Sequence, residues 1–269
     1  MEVARSAYYR YMKMKNCNTK QDLKLIIELN VLHKQSHKSY GSRRMTKALL
    51  TKGYSIGRYK VRRLMRENGI MCKQRRRYTV TTQSNHSLTV ANNVLDRNFT
   101  VKSPNKVWVA DITYLWTQEG WLYVAAVLDL FSRRIVGWAI ADHMRADLVE
   151  NAFIMATSRR CPLEGLLHHS DRGIQYASRQ YQQVLQKFGV VVSMSRKGNC
   201  WDNAVMERFF GTLKSELTDT KRYTNRSEAK RDIVSFIETF YNNQRLHSAL
   251  NYMSPVCYER NFKINTVFA

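Results

Sequence analysis

Acidic residues are scarce at the start of this chain. Residues 1–80 hold 4 Asp and Glu against 21 Lys and Arg, a balance of +17, while the remaining 189 residues carry +6 of the total +23. So uneven a charge points to a polyanionic partner, most simply nucleic acid. Long apolar runs are also missing, and none approaches the ~18–20 residues that span a bilayer. Arg5 and Arg10 are followed by no apolar segment of the kind a signal peptide needs. The five cysteines (Cys17, Cys72, Cys161, Cys200, Cys257) are odd in number, scattered, and form no C-x-x-C. They read as free thiols in a reducing, cytoplasmic compartment. His33 and His37 stand four apart without two further ligands nearby, so they read as surface or packing residues and not as a zinc site.

What is present begins with helical periodicity. A helix is expected from Asp22, with Leu23, Ile26, Ile27, Leu29 and Leu32 turned inward, and Gly41 breaks the pattern. Residues 42–52 read as a second helix stopping at Gly53. Ser55 is the expected cap of a third over 56–68, ended by Gly69. In that third helix Val61, Leu64 and Met65 face inward while Arg58, Lys60, Arg62, Arg63 and Arg66 project. Two short helices about a Gly-containing turn, the second loaded with Arg, make a helix-turn-helix candidate. The expected DNA contacts here are Arg43, Arg44, Arg58, Lys60, Arg62, Arg63, Arg75, Arg76 and Arg77. This gives a basic helical domain over 1–78, followed by a polar linker or arm over 79–101.

From residue 102 the pattern changes to strands. Residues 107–116 and 121–130 are β-rich runs joined across Glu119-Gly120, a hairpin signal, and 134–141 is a third run. A helix with Leu148, Val149, Ala152, Phe153 and Ala156 on one face follows. Then come a strand over 165–168, a helix capped by Ser178, a strand over 190–194, and another helix from Asn203. The order βββ-α-β-α-β-α predicts an α/β fold, a mixed five-stranded sheet flanked by helices, over 102–218. Ser227 is the expected cap of a further helix burying Ala229, Ile233, Phe236, Ile237, Phe240 and Tyr241. A short last turn after Ser254-Pro255 completes a helical extension over 219–269.

The most informative stretch is 194–217, MSRKGNCWDNAVMERFFGTLKSEL. Val205, Phe209, Leu213 and Leu217 recur every four residues, and Asn203, Glu207 and Lys214 fall on the opposite face. An isolated Glu on a helix is usually just solvated. Here Asp171 lies 36 positions upstream at the end of one apolar run, and Asp111 lies inside another. Two strands and a helix would thus supply three carboxylates. Asp129 reads as a turn residue, Asp202 as a helix cap, and His168 and His169 as packing or hydrogen-bonding residues at a strand end.

These segments resemble one known family. VWVADIT (107–113), LDLFSRRIVGW (128–138), HSDRGIQYAS (169–178), the stretch 193–217 and YNNQRLHSALNYMSPVCYE (241–259) are similar to the catalytic product of the IS-three family of bacterial insertion-sequence transposases, relatives of retroviral integrases. The match covers most of 102–260, with a looser match beginning at Tyr40-Gly41-Ser42-Arg43-Arg44. The resemblance implies an RNase H-like core and a catalytic, metal-binding triad of Asp111, Asp171 and Glu207, with 35 residues between the last two. It implies two Mg²⁺ ions, replaceable by Mn²⁺, with Asp111 bridging them. Asn203 and Lys214 would hold the DNA backbone. The implied partners are double-stranded DNA (terminal inverted repeats and target), other copies of this chain on that DNA, and the product of an upstream frame. That frame would supply a further helix-turn-helix and a leucine zipper, for which no heptads are read in this chain. The implied reaction is strand cleavage at the element end and 3′-OH strand transfer, carried out at the bacterial nucleoid. The alternatives are a metal-dependent nuclease of the same fold and a catalytically silent DNA-binding regulator.

Overall fold

A computed structural model describes residues 4–9, 20–73, 90–197 and 199–267. The chain divides into two compact units, 1–74 and 75–269. Among the described residues no helix is long and apolar enough to cross a membrane.

The first unit contains α1 (Lys20–Gln35), α2 (Ser42–Thr51) and α3 (Arg58–Glu67). Its core is Leu25, Leu29, Leu32, Tyr40, Met45, Leu49, Val61, Leu64 and Met65. The buried stripe of α1 runs Asp22–Leu25–Leu29–Leu32–Ser36, so Leu23 and Ile27 face outward, contrary to expectation. The cause is Asp22. Its carboxylate is buried and paired with Lys60 at 2.6 Å and Arg63 at 3.5 Å, which turns the stripe by part of a helical turn. α3 starts two residues later than Ser55 would set it, with Gly57 in the capping position. At its end Gly69 takes φ +65°, and the Ile70 N–H donates to the Met65 carbonyl, a left-handed helix stop that glycine adopts without strain.

The second unit is built on a five-stranded sheet of order β3-β2-β1-β4-β5. The strands are β1 (Val107–Thr117), β2 (Gly120–Asp129), β3 (Ile135–Ala141), β4 (Leu167–Ser170) and β5 (Val191–Met194). The first three are antiparallel, and β4 and β5 run parallel to β1. Trp108, Ala110, Ala125, Val127 and Val136 pack on one face with α4 (Ala146–Arg160), α5 (Ile174–Ala177) and α6 (Arg179–Lys187). A Cβ on Gly137 would meet the Ala152 carbonyl at 2.1 Å, so a side chain there would push α4 off the sheet. Ser178 caps α6 as the sequence implies, accepting from the Tyr181 N–H. α7 (Ala204–Glu216) packs on β1, burying Met206, Phe209, Phe210 and Leu213.

The C-terminal extension is bonded closely to the sheet. α8 (Arg226–Ser235) is capped by Asn225 and not by Ser227, and continues into a π-helical turn over Phe236–Tyr241. Immediately after it the Asn242 amide donates to the Ile135 carbonyl and accepts the Ile135 N–H, both at 2.9 Å, acting as a substitute strand for β3. Arg245 forms two hydrogen bonds, of 2.9 and 2.6 Å, to the buried Glu216 at the end of α7. The expected short last turn is a full helix, α9 (Pro255–Val267), with Pro at its first position, where its missing N–H costs nothing.

Candidate active site

β1 alternates. Trp108 and Ala110 point into the α4 side, so Asp111 points to the other face, where α7 lies. The parallel pairing of β1 with β4 ends at Val109↔His169. Two residues further along come Asp111, still in β1, and Asp171, past the end of β4, near enough for its charge to act on Asp111. Asp171 lies just past β4, and its Oδ1 accepts the Gly173 N–H at 2.9 Å. Glu207 sits in the first turn of α7 and is exposed. Lys214 follows two turns later, half-buried, with its Nζ 5.2 Å from the Tyr114 ring centroid.

Asn203 makes a contact within the protein that the sequence did not point to. It is buried, and its Nδ2 donates to the Ala110 carbonyl at 3.1 Å. It therefore ties the start of α7 to β1 beside Asp111. Asp202 is likewise no helix cap. Fully buried, it accepts from the Arg196 N–H and guanidinium, from Arg97 Nε at 2.8 Å and from Asn93 Nδ2 at 3.0 Å. Hydrogen bonds from Arg196 hold its carboxyl far below the ordinary range. The later part of the expected linker, from residue 90, is thus built into this unit. Val90 and Ala91 join the core, and the Val94 and Leu95 N–H groups donate to Ser193 Oγ.

That serine also fixes a histidine. Ser193 Oγ accepts two N–H bonds, so its own proton goes to His169 Nδ1 at 2.8 Å, leaving Nε2–H to face Ser195 Oγ at 3.1 Å. His168 Nε2 meets the Tyr181 hydroxyl at 3.0 Å. Burial pushes His168 down to about 3 and His169 down to about 4, so both are neutral struts under the site, in line with the packing role expected of them.

The Asp111 carboxyl is raised well above its ordinary value by burial first, then by the negative charge of Asp171, with Glu207 adding to it. Lys214 offsets only part of this. The set has the chemistry of a hard-cation site, three carboxylates whose mutual repulsion a divalent ion would relieve. As they stand, no three His, Cys, Asp or Glu among the described residues are drawn in closely enough to grip an ion. Two residues here were not singled out from the sequence. Tyr176 is buried beside Asp111 and Asp171, and both acids hold its hydroxyl proton more tightly, after burial itself. Trp201 is exposed on the turn before α7. The aromatic hydroxyl in HSDRGIQYAS was the available signal for the first.

In the first unit Arg43, Arg58, Arg62 and Arg63 are exposed. Lys60 and Arg63 are partly engaged by Asp22, and Arg44 lies 5.7 Å from the Tyr40 ring centroid. Arg75, Arg76 and Arg77 lie outside the described residues.

The fold and the acid cluster define a class, an integrase-type RNase H-like core with an added helical module. The Integrase core domain family matches residues 101–200, a second Integrase core domain family matches 188–255, and the HTH-like domain family matches 20–78. The chain is 44% identical over 261 residues to the insertion element IS600 uncharacterized 31 kDa protein of Shigella sonnei, covering 97% of this chain and 96% of that one. It is 42% identical over 222 residues to the transposase for insertion sequence element IS904 of Lactococcus lactis, covering 82% and 87%. It is 36% identical over 262 residues to the transposase InsF for insertion sequence IS3A of Escherichia coli, covering 96% and 91%. The chain belongs to this family of insertion-sequence transposases. Similar solved structures include a simian T-cell lymphotropic virus intasome in complex with a PP2A regulatory subunit, at TM-score 0.49 and 13% identity, covering 86% of this chain and 74% of that one. The HTLV-2 integrase catalytic core domain in complex with magnesium matches at TM-score 0.45 and 16% identity, covering 58% and 97%.

Proposed function

We propose that this chain catalyses DNA transposition by metal-dependent strand cleavage at insertion-sequence ends, followed by attack of the freed 3′-OH on a second phosphodiester. The observation that carries this reading is the acid set Asp111, Asp171 and Glu207, whose negative charge Lys214 only partly offsets. These three residues would hold two divalent ions, Mg²⁺ or Mn²⁺ in its place. Such ions, when bound, activate the attacking oxygen and stabilise the leaving one. The protein's own part is positional. Asn203 sets the start of α7 against β1, His169 and Asp202 hold the loop before it, and Lys214 offers a point charge to a phosphate. Arg43, Arg44, Arg58 and Arg62, with Arg75, Arg76 and Arg77, supply sequence-independent grip on the duplex.

The substrates are the terminal inverted repeats and a target duplex at the bacterial nucleoid. Two ends are paired by a homo-oligomer, and the upstream-frame product or its fusion to this chain is a further partner. The test uses a labelled element end in Mg²⁺ or Mn²⁺, with the chain alone and as that fusion. An end bearing a 3′-OH becomes joined to other DNA, whereas a 3′-dideoxy end binds equally and does not join. Hydrolysed strands without joined product would make the protein a nuclease, and binding without any cleavage would make it a regulator.

A further inference from the structure

The turn end of the β1–β2 hairpin, bridged to Tyr223 through Thr117, carries four aromatic rings in contact. Register pairs Tyr114 with Tyr123 and Trp116 with Trp121 across the two strands. Tyr114 and Trp121 meet edge to face at 5.1 Å, Trp116 and Trp121 at 4.9 Å, and Tyr114 and Tyr123 lie 6.2 Å apart. The inner member, Tyr123, packs against the core beneath α4. The outer members are open to solvent, Trp116 at 60% and Trp121 at 43%. Cross-strand aromatic pairs explain a stable hairpin. They do not explain two large indoles left facing water, which is where contiguous apolar surface marks a binding site.

The charges around the cluster narrow the occupant. Lys214 Nζ sits over the Tyr114 ring and also acts on Asp111, so one cation links the acid site to the aromatic row. Arg226 borders the other side, with its Nε donating to the Trp121 carbonyl at 3.2 Å. Of the acids on this border, Asp142 is ion-paired with the Arg226 guanidinium and Glu119 accepts the Arg226 backbone N–H. Aromatic faces with cations beside them fit nucleobases linked by phosphates. By strand alternation Tyr114 and Trp116 stand on the α4 face and Asp111 on the other, and Lys214 is the group that reaches both.

We propose that this hairpin is a stacking platform for unpaired nucleotides of the DNA end. The duplex end is splayed there, with bases of one strand resting on Trp116 and Trp121. This rests on the DNA-joining reading above, but its test involves no chemistry and can fail separately. In Ca²⁺, three probes are compared: a blunt 30-base-pair duplex, the same duplex with five unpaired terminal nucleotides, and single-stranded dT15. Wild-type protein should prefer the splayed duplex to the blunt one by about 10-fold or more, and dT15 should quench its tryptophan emission. A 2-aminopurine placed in turn along the unpaired strand should change its emission most where it meets the indoles. Trp116→Ala with Trp121→Ala should bring the splayed-to-blunt ratio toward one, and Trp116→Phe with Trp121→Phe should restore most of it. Equal affinity of wild type for both duplexes, or a ratio untouched by the Ala pair in a protein of unchanged circular dichroism, would overturn the proposal. So would loss of self-association in the Ala pair without any change in DNA preference, because the occupant would then be a second copy of the chain.

Discussion

The second unit contains two groups of acids, one hydrogen-bonded at every oxygen and one crowded with like charge. Asp129 and Glu259 are buried, and every oxygen is occupied. Asp129 accepts the Asn105 and Phe131 N–H groups, and Glu259 accepts Ser132, Arg134 and two nitrogens of Arg160 at 2.8–2.9 Å. Those bonds hold the Glu259 carboxyl below its ordinary value against the cost of burial, and at Asp129 they offset only part of the rise that burial causes. Around Asp111 burial is joined by Asp171 and Glu207 in pushing the carboxyl up, against the Ile112 N–H and Lys214. The first group binds α4 and α9 to the β2–β3 turn. In the second, the Ile112 N–H and Lys214 offset only part of the push on Asp111, an arrangement that costs stability and persists where chemistry needs it. Compensation separates scaffold from site here better than burial does.

Substitutions should break this symmetry. Asp111→Asn, Asp171→Asn or Glu207→Gln should each lower strand cleavage by at least about 10²–10³-fold, as read from labelled element ends. Thermal unfolding of the metal-free Asp111→Asn protein at pH 7 should show a gain in stability, because a charge raised by burial has been removed. Glu259→Gln should do the reverse. It strands Arg160 and Arg134 beside a neutral amide, and denaturant unfolding should show a loss of about 3–5 kcal/mol.

The acid response sharpens the contrast. His168 and His169 titrate near 6.5 when unfolded and at about 3 and about 4 when folded. The unfolded chain therefore binds protons that the native one refuses, and stability falls as pH drops from 6.5 toward 4. The slope should approach ~2.7 kcal/mol per pH unit for the pair. Asp111 acts oppositely. Its folded value is raised, so in metal-free protein its contribution is present below about 3.8 and lost as pH rises above that. Urea titrations across this range, with and without Mg²⁺, separate the two. The smallest effect lies in the first unit. Arg62→Ala should flatten the log–log salt dependence of DNA affinity by about 0.9, and Arg63→Ala by less, since Asp22 and Glu67 already share its charge.

Much of this was legible in the chain itself. Period-two runs, the Glu119-Gly120 hairpin, the Ser178 cap and the Gly69 stop are local signals with local causes, and the structure places them as read. What escaped the sequence depends on tertiary partners. Leu23 and Ile27 turned outward because Asp22, buried against Lys60, took the inward phase. Asn203 and Asp202 looked like surface and cap residues because a polar side chain before a helix usually is one. Only the fold shows the Ala110 carbonyl and the Arg97–Arg196 pair that they meet. Residues 90–101 read as linker from their polarity, although Ser193, about 100 positions away, is what takes their N–H groups.

Under the proposed function, the charge left over around Asp111 holds divalent cations. Mn²⁺ titration followed by electron paramagnetic resonance tests it most directly, on wild type, Asp111→Asn and Glu259→Gln proteins. Wild type should bind Mn²⁺ tightly and Mg²⁺ should displace it. The Asp111→Asn protein should lose that binding, while any folded fraction of Glu259→Gln keeps it. Equal Mn²⁺ binding by wild type and Asp111→Asn would contradict the account.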